Sequence, residues 1–171
     1  MLRYKYSLAE TTPPAAEPLL LAEVKSHLRI DQSSDDNLLA ALITSVRQIC
    51  EQVSGLALIN RNYSLYLDSW DSDVLFLPQP PLVSVSAVKV YAEDGSFSVY
   101  AADNYLADNK SLTPRIVLKS GAALPLPARS ANGIEIQYTA GFGTAAANVP
   151  DRKSTRLNSS HSDRSRMPSS A

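Results

Sequence analysis

Apolar positions follow a helical period in the first third of this chain and a strand period after it. Between Ser33 and Gly55 they recur at steps of three and four, at Leu38, Leu39, Leu42, Ile43, Val46, Ile49, Cys50 and Val53, the spacing of one helix face. Ser33 or Ser34 is suited to cap the start, Asp35 and Asp36 complement the positive end of the helix dipole, and Gly55 supplies a left-handed C-cap. At ~1.5 Å per residue this helix is roughly 30 Å long, about the width of a small domain, and the rest of the chain is expected to pack on it. Cys50 falls on the apolar face and is expected to be buried and inert. The opposite face, with Ala40, Ala41, Thr44, Ser45, Gln48 and Gln52, is small and polar rather than charged. It suits close approach by a neighbouring subunit. Self-association through Ala40, Ala41, Thr44 and Ser45 is the specific expectation, and a plainly solvated face is the alternative.

Ahead of this helix, residues 1–18 contain Thr11-Thr12-Pro13-Pro14, which disfavours helix and predicts an extended arm. A shorter helix follows in LLLAEVKSHLRI, with Leu21, Val24 and Leu28 on one face and His27 beside them as a surface or partly packed histidine. Asp31 to Ser34 turn the chain, so the two helices form a hairpin over 19–55. From Asn60 the period becomes two: Tyr63, Leu65 and Leu67 alternate with Ser64 and Tyr66, and Val74 to Leu77 is a short buried-strand candidate. Pro78-Gln79-Pro80-Pro81 predicts a rigid corner, because prolines lack ladder donors. Val83 to Tyr91, Glu93-Asp94-Gly95 and Ser96 to Tyr100 predict a tight hairpin, with a bulge near Ala87 where the alternation slips. Arg115 to Leu118 and Gly133 to Tyr138 predict two further strands. The fold class is therefore α+β: a two-helix hairpin packed with an antiparallel β-rich region over 58–143, in a single domain spanning 19–150.

Composition changes the picture at one end. The chain has 171 residues with 44% hydrophobic content and a net charge of -1, but five of its 16 basic residues and only two of its 17 acidic ones lie in 151–171. Residues 1–150 thus carry 11 basic against 15 acidic groups and form a mildly acidic body. The segment DRKSTRLNSSHSDRSRMPSSA looks like translated sequencing adapter: library-adapter codons specify Asp151 to His161 and Ser165 to Ala171 residue for residue, with a variable index between. It is expected to be a non-native, disordered tail that replaces the natural sequence after Pro150, and fold and function are read from the body alone. The start of the chain has no apolar core of signal-peptide length, no segment reaches the ~20 apolar residues of a membrane span, and a lone cysteine allows no internal disulfide. A soluble, intracellular protein is expected.

The body holds little chemistry. Two histidines, one of them in the tail, and one cysteine make no metal set, and no nucleophile elbow, HExxH or paired CxxC is present. Gly141-Phe142-Gly143 lacks the further glycine and the Gly-Lys-Ser/Thr step of a phosphate loop. Asp68, Asp71, Asp73, Glu93, Asp94, Asp103 and Asp108 lie in turn-like sequence, where Asp is favoured by its own backbone hydrogen bonds. A hydrolase pair among them is the least favoured alternative. Asp71, Asp73, Glu93 and Asp94 are expected instead to form acidic exposed surface for partner docking. No catalytic, cofactor-binding or metal-binding residue is expected.

The order of several blocks carries a resemblance. LLLAEVKSHLRID, an acidic turn, a long helix ending in EQVSGLALINRNYSLYLD, then LPQPPLVSVSAVKVYAEDGS, Asp103-Asn104-Tyr105 and finally IEIQYTAGFG with Val149-Pro150 together resemble the head-tail connector proteins of long-tailed double-stranded DNA phages. The resemblance covers nearly all of residues 19–150. It implies a non-catalytic subunit of the virion neck that assembles as a homo-oligomeric ring beneath the portal protein and docks the next neck or tail-completion protein. It implies no cofactor, no membrane and no specific nucleic-acid site, with DNA passing through the assembled ring. Members continue past the Val-Pro step into C-terminal helices, and here the adapter-like tail stands in their place. Another virion or host interaction module on the same plan is the alternative.

Overall fold

The computed structural model describes residues 6–111 and 113–150; the adapter-like segment 151–171 lies outside them. Two antiparallel sheets enclose the core. The larger has five strands in the order β1 (Tyr6–Thr12), β2 (Arg61–Leu67), β8 (Ile134–Ala140), β4 (Leu82–Tyr91) and β5 (Phe97–Val99). The smaller has the order β3 (Val74–Phe76), β7 (Arg115–Leu118) and β6 (Tyr105–Asp108). The helices α1 (Leu21–Leu28) and α2 (Asp36–Ser54) precede β2.

The core lies between the sheets, not around α2, which corrects the expectation that the long helix organises the fold. Strand β8 is central: Ile134, Ile136, Tyr138 and Ala140 point inward by simple alternation and are at most 1% exposed. Tyr63, Leu65 and Leu67 of β2 face the same core, as the period-two reading expects, and Val88 joins them from β4. From the smaller sheet come Leu75, Tyr105, Ile116 and Leu118. Trp70, in the turn after β2, is buried with its indole N–H donating to the Ser72 carbonyl at 2.6 Å.

The first 18 residues do not stand off as a separate arm in their described part. Tyr6–Thr12 pairs antiparallel with β2, Leu8 opposite Leu65 and Glu10 opposite Tyr63, and becomes an edge strand of the same sheet. The proline corner forms, with the Pro80 carbonyl accepting from the Ala57 N–H at 2.8 Å. The hairpin after Tyr91 also forms, but Phe97 rather than a nearer residue pairs with Tyr91. The connection is longer than a two-residue turn, and of its residues only Gly95 takes a positive φ, of 86°. The slip near Ala87 is a register shift between Val85 and Ala87 against β8. The glycine at 141 has a packing reason: its φ is 141°, and a Cβ there would sit 2.5 Å from the backbone N of Asn60. The chain passes this close where α2's exit segment enters β2, so Gly141 is explained by backbone approach, while a Cβ at Gly143 would meet the Asn148 side chain.

Candidate functional site

Which way α2 faces is decided by ions. At the Arg61 end of the larger sheet, five charged side chains from four parts of the chain meet. The Arg47 Nε donates to Glu17 Oε2 and its Nη1 to Glu51 Oε2, each at 2.8 Å. The Arg61 Nη1 donates to Glu10 Oε2 at 2.9 Å and its Nη2 to Glu51 Oε1. Glu51 Oε1 also accepts the Leu58 N–H at 2.9 Å, and Thr44 Oγ1 donates to Glu17 Oε1 at 2.9 Å. The side chains of Arg47, Arg61 and Glu51 are only 5%, 5% and 8% exposed, while Glu10 and Glu17 keep contact with water. Burial opposes the charge on Arg61, yet Glu10 and Glu51 raise its pKa above the usual guanidinium value, so it stays ionised.

This joint seats α2 on the line Leu39, Ile43, Arg47 and Glu51, so that of the apolar face only Leu39 and Ile43 are buried. Leu38, Leu42, Val46, Ile49 and Val53 consequently face solvent, Leu38 and Ile49 at about 60% and Val53 at 84% exposure. Cys50 is exposed as well, contrary to the expectation of a buried thiol. The first helix covers little of the stripe: Leu21 and Val24 are half-buried, Leu28 is exposed, and Lys25 ties the pair together through Asp36 at 2.6 Å. On the small face, Ala40, Ala41 and Ser45 are exposed, while Thr44 is half-buried against Glu17. Sequence reasoning missed the joint, although one signal was present: Arg47 and Glu51 stand one turn apart on a helix whose exposed positions are otherwise uncharged. Beside the stripe, a groove of about 510 Å³ runs between Leu19 and Leu20, Val46 and Cys50, and the short 3-10 turn Ala146–Asn148 with Val149.

The acidic turns lie at the other end. Strands β2 and β4 both finish beside the start of β8, since Leu67 and Val90 each pair with Ile134. Asp71, Asp73, Glu93 and Asp94 therefore project from the end opposite Arg61, roughly 20 Å away at ~3.3 Å per strand residue. All four are exposed. Between the two turns runs the segment Arg129 to Gly133, held by Asp68 accepting from the Asn132 N–H at 2.9 Å and by the Tyr91 N–H donating to the Gly133 carbonyl at 2.8 Å. Asp94 is bound locally: the hydroxyl and N–H of Ser96 donate to it and hold its carboxyl below the usual range.

A second buried carboxylate stabilises the outer face of the larger sheet. Glu135 alternates with the core residues of β8 and points away from them, yet it is 4% exposed. Burial pushes its pKa up, but donation from Tyr91, Gln137 and Ser64 and the charge of Lys89 together pull it below the ordinary glutamate value. The Tyr91 hydroxyl, 2.7 Å from Glu135 Oε2, is pushed up to about 12 chiefly by this hydrogen bond. Arg129 covers the Tyr91 ring at 4.5 Å, and Lys89 lies over Phe97 at 4.9 Å. Glu135 thus links β2, β4 and β8 on this face through Ser64, Tyr91, Lys89 and Gln137.

Among the described residues, no three His, Cys, Asp or Glu side chains gather as a metal set, and no helix is long and apolar enough to cross a membrane. The subunit thus carries an exposed helix surface without charge at one end of the larger sheet and exposed acidic turns at the other. Comparisons with known proteins identify its class. The phage gp6-like head-tail connector protein family matches residues 19–94. A chain in the neck of an empty gene transfer agent (GTA) particle, computed with C6 symmetry, is 30% identical with a TM-score of 0.73, covering 84% of this chain and 75% of that one. A chain of the native GTA virion is 27% identical with a TM-score of 0.70, covering 94% of this chain and 89% of that one. A chain of the native GTA neck computed with C12 symmetry is 27% identical with a TM-score of 0.67, covering 95% and 88%. The curated proteins give no match. This chain belongs to the phage gp6-like head-tail connector family, and it is a structural ring protein of the virion neck, between head and tail.

Proposed function

We propose that this chain is a non-catalytic ring subunit that presents α2 to neighbouring copies and its acidic end to another neck component, with the portal protein on one side and a tail-completion protein on the other. The observation that carries this reading is the division of the surface: α2 exposes no charge between Leu38 and Val53, whereas charge gathers at the turns roughly 20 Å away. Uncharged helix surface suits permanent contact between copies, and charged turns suit reversible recognition and fast encounter. The cyclic neck assemblies of the matched chains support a ring of this kind.

Two measurements test it. Ala41→Arg should abolish or strongly shrink the oligomer seen by light scattering while leaving the far-ultraviolet circular dichroism unchanged; an unaltered oligomer would remove the small face from the interface. Asp71→Asn with Asp73→Asn should slow association with the purified partner ring several-fold at low ionic strength and have little effect at ~1 M salt, where the screening length is about 3 Å. Equal rates at both ionic strengths would exclude docking through the acidic end.

A further inference from the structure

We propose that the α2 helices of adjacent copies pair head to tail, the apolar stripe Leu38, Leu42, Val46, Ile49 and Val53 of one copy lying on the small face Ala41, Ser45, Gln48 and Gln52 of the next. The inference rests on the ring reading above and specifies which surface meets which. At about 100° per residue, α2 carries three separate faces, their centres roughly 90–150° apart. The first, Leu39, Ile43, Arg47 and Glu51, is occupied by the subunit's own body. The second is the apolar stripe and the third the small face, and both point outward.

Symmetry then selects the pairing. In a closed ring each subunit contacts its two neighbours through different surfaces, because a rotation about one axis brings a given face to a different face of the next copy. A stripe meeting an identical stripe makes a two-fold dimer instead. The small face is the natural receiver for a ridge of leucine, valine and isoleucine, since its short side chains let the helix axes approach.

Charge and area agree with this occupant. From Leu38 to Val53 the only ionised side chains are Arg47 and Glu51, both on the buried line, so neither outward face has a charge to desolvate. A helix that faced water permanently would carry charged residues there. Together with Leu19 and Leu20, which are also exposed beside Val46, the stripe amounts to on the order of 700 Å² of apolar surface, above the roughly 300–600 Å² of the largest patch on a typical monomer and near the ~800 Å² that one partner gives to a standard interface.

The test uses two single-cysteine proteins in the full chain, both carrying Cys50→Ala: one with Val46→Cys on the stripe, the other with Ala41→Cys on the small face. Each is checked for folding by its melting temperature and for oligomer size by light scattering, then treated with a short bis-maleimide. Covalent dimers should form in the mixture and at least tenfold less in either protein alone, and a protein carrying both cysteines should give a ladder. Dimers of the Val46→Cys protein alone would overturn the proposal in favour of a two-fold stripe contact. A normal oligomer without mixed cross-links would overturn the pairing while leaving the ring reading intact. A monomer of the Val46→Cys protein whose new thiol is shielded from maleimide would overturn the pairing by showing that the stripe is covered within the subunit. A monomer whose new thiol reacts freely would defeat the ring reading together with the pairing.

Discussion

Replacing Glu51 with alanine should lower the unfolding free energy by about 3 kcal/mol, because it removes the buried acceptor that two buried guanidiniums share and leaves each with one part-exposed carboxylate. Glu51 is the one carboxylate of the joint with almost no access to water, and it binds Arg47, Arg61 and the Leu58 N–H together. Glu10 and Glu17 remain, but at 39% and 30% exposure they are hydrated and cannot replace it. The cost is that of leaving buried guanidinium N–H groups and the Leu58 N–H without their acceptor rather than a measure of what the ion pairs contribute. The combined change Arg47→Met, Glu51→Leu and Arg61→Met, which removes the buried charges together, should therefore be close to neutral or stabilising. Urea denaturation of both proteins checks the pair of outcomes. A loss below about 1 kcal/mol for Glu51→Ala would mean that the joint does not seat the helix.

Tyr138→Ala should cost a comparable amount, about 3–5 kcal/mol, by opening a cavity where both sheets meet. The ring is 1% exposed in the central strand and stacks on Tyr63 with centroids 5.5 Å apart. Its hydroxyl donates to the Pro78 carbonyl at 2.9 Å, linking β8 to the proline corner. Burial pushes this phenol's pKa well above the ordinary tyrosine range, so the hydroxyl stays a donor at any working pH. Tyr138→Phe keeps the ring and removes only that donor, and should cost about 1–2 kcal/mol. Equal losses for Ala and Phe in chemical denaturation would assign the stabilisation to the hydrogen bond instead of the packed ring.

The joint also bears on assembly. Because α2 is seated by charge-assisted bonds together with Leu39 and Ile43, the rest of its apolar face, Leu38, Leu42, Val46, Ile49 and Val53, stays exposed on the subunit. The same leucines packed inward would have given a more stable monomer with nothing to offer a neighbour. The uncharged exposed length of α2 has the same consequence for solubility: an isolated subunit should be prone to associate unless its partner faces are occupied.

Much of the fold was legible in the chain itself. The switch of apolar period from 3.6 to two near Asn60 fixed which segments are helix and which are strand, and it identified the inward residues of β2, because a strand's alternate side chains have only two directions to choose between. The proline corner, the hairpin after Tyr91 and the slip near Ala87 follow from local backbone chemistry in the same way. Strand β1 and strand β6 were not legible, since Tyr6–Thr12 lies at an edge and is mostly exposed, and an edge strand needs no apolar pattern to pair. Nor was the direction in which α2 faces. Its periodicity marks an apolar face correctly, but a period describes one helix and says nothing about what lies across from it. That was decided by Glu10, Glu17 and Arg61, which come from outside the helix and reach Arg47 and Glu51 only when the sheet has formed. Two buried guanidiniums left without carboxylates would cost more than an exposed row of leucine and valine, so Arg47 and Glu51 took the inside of the subunit beside Leu39 and Ile43 and the rest of the apolar face was turned out.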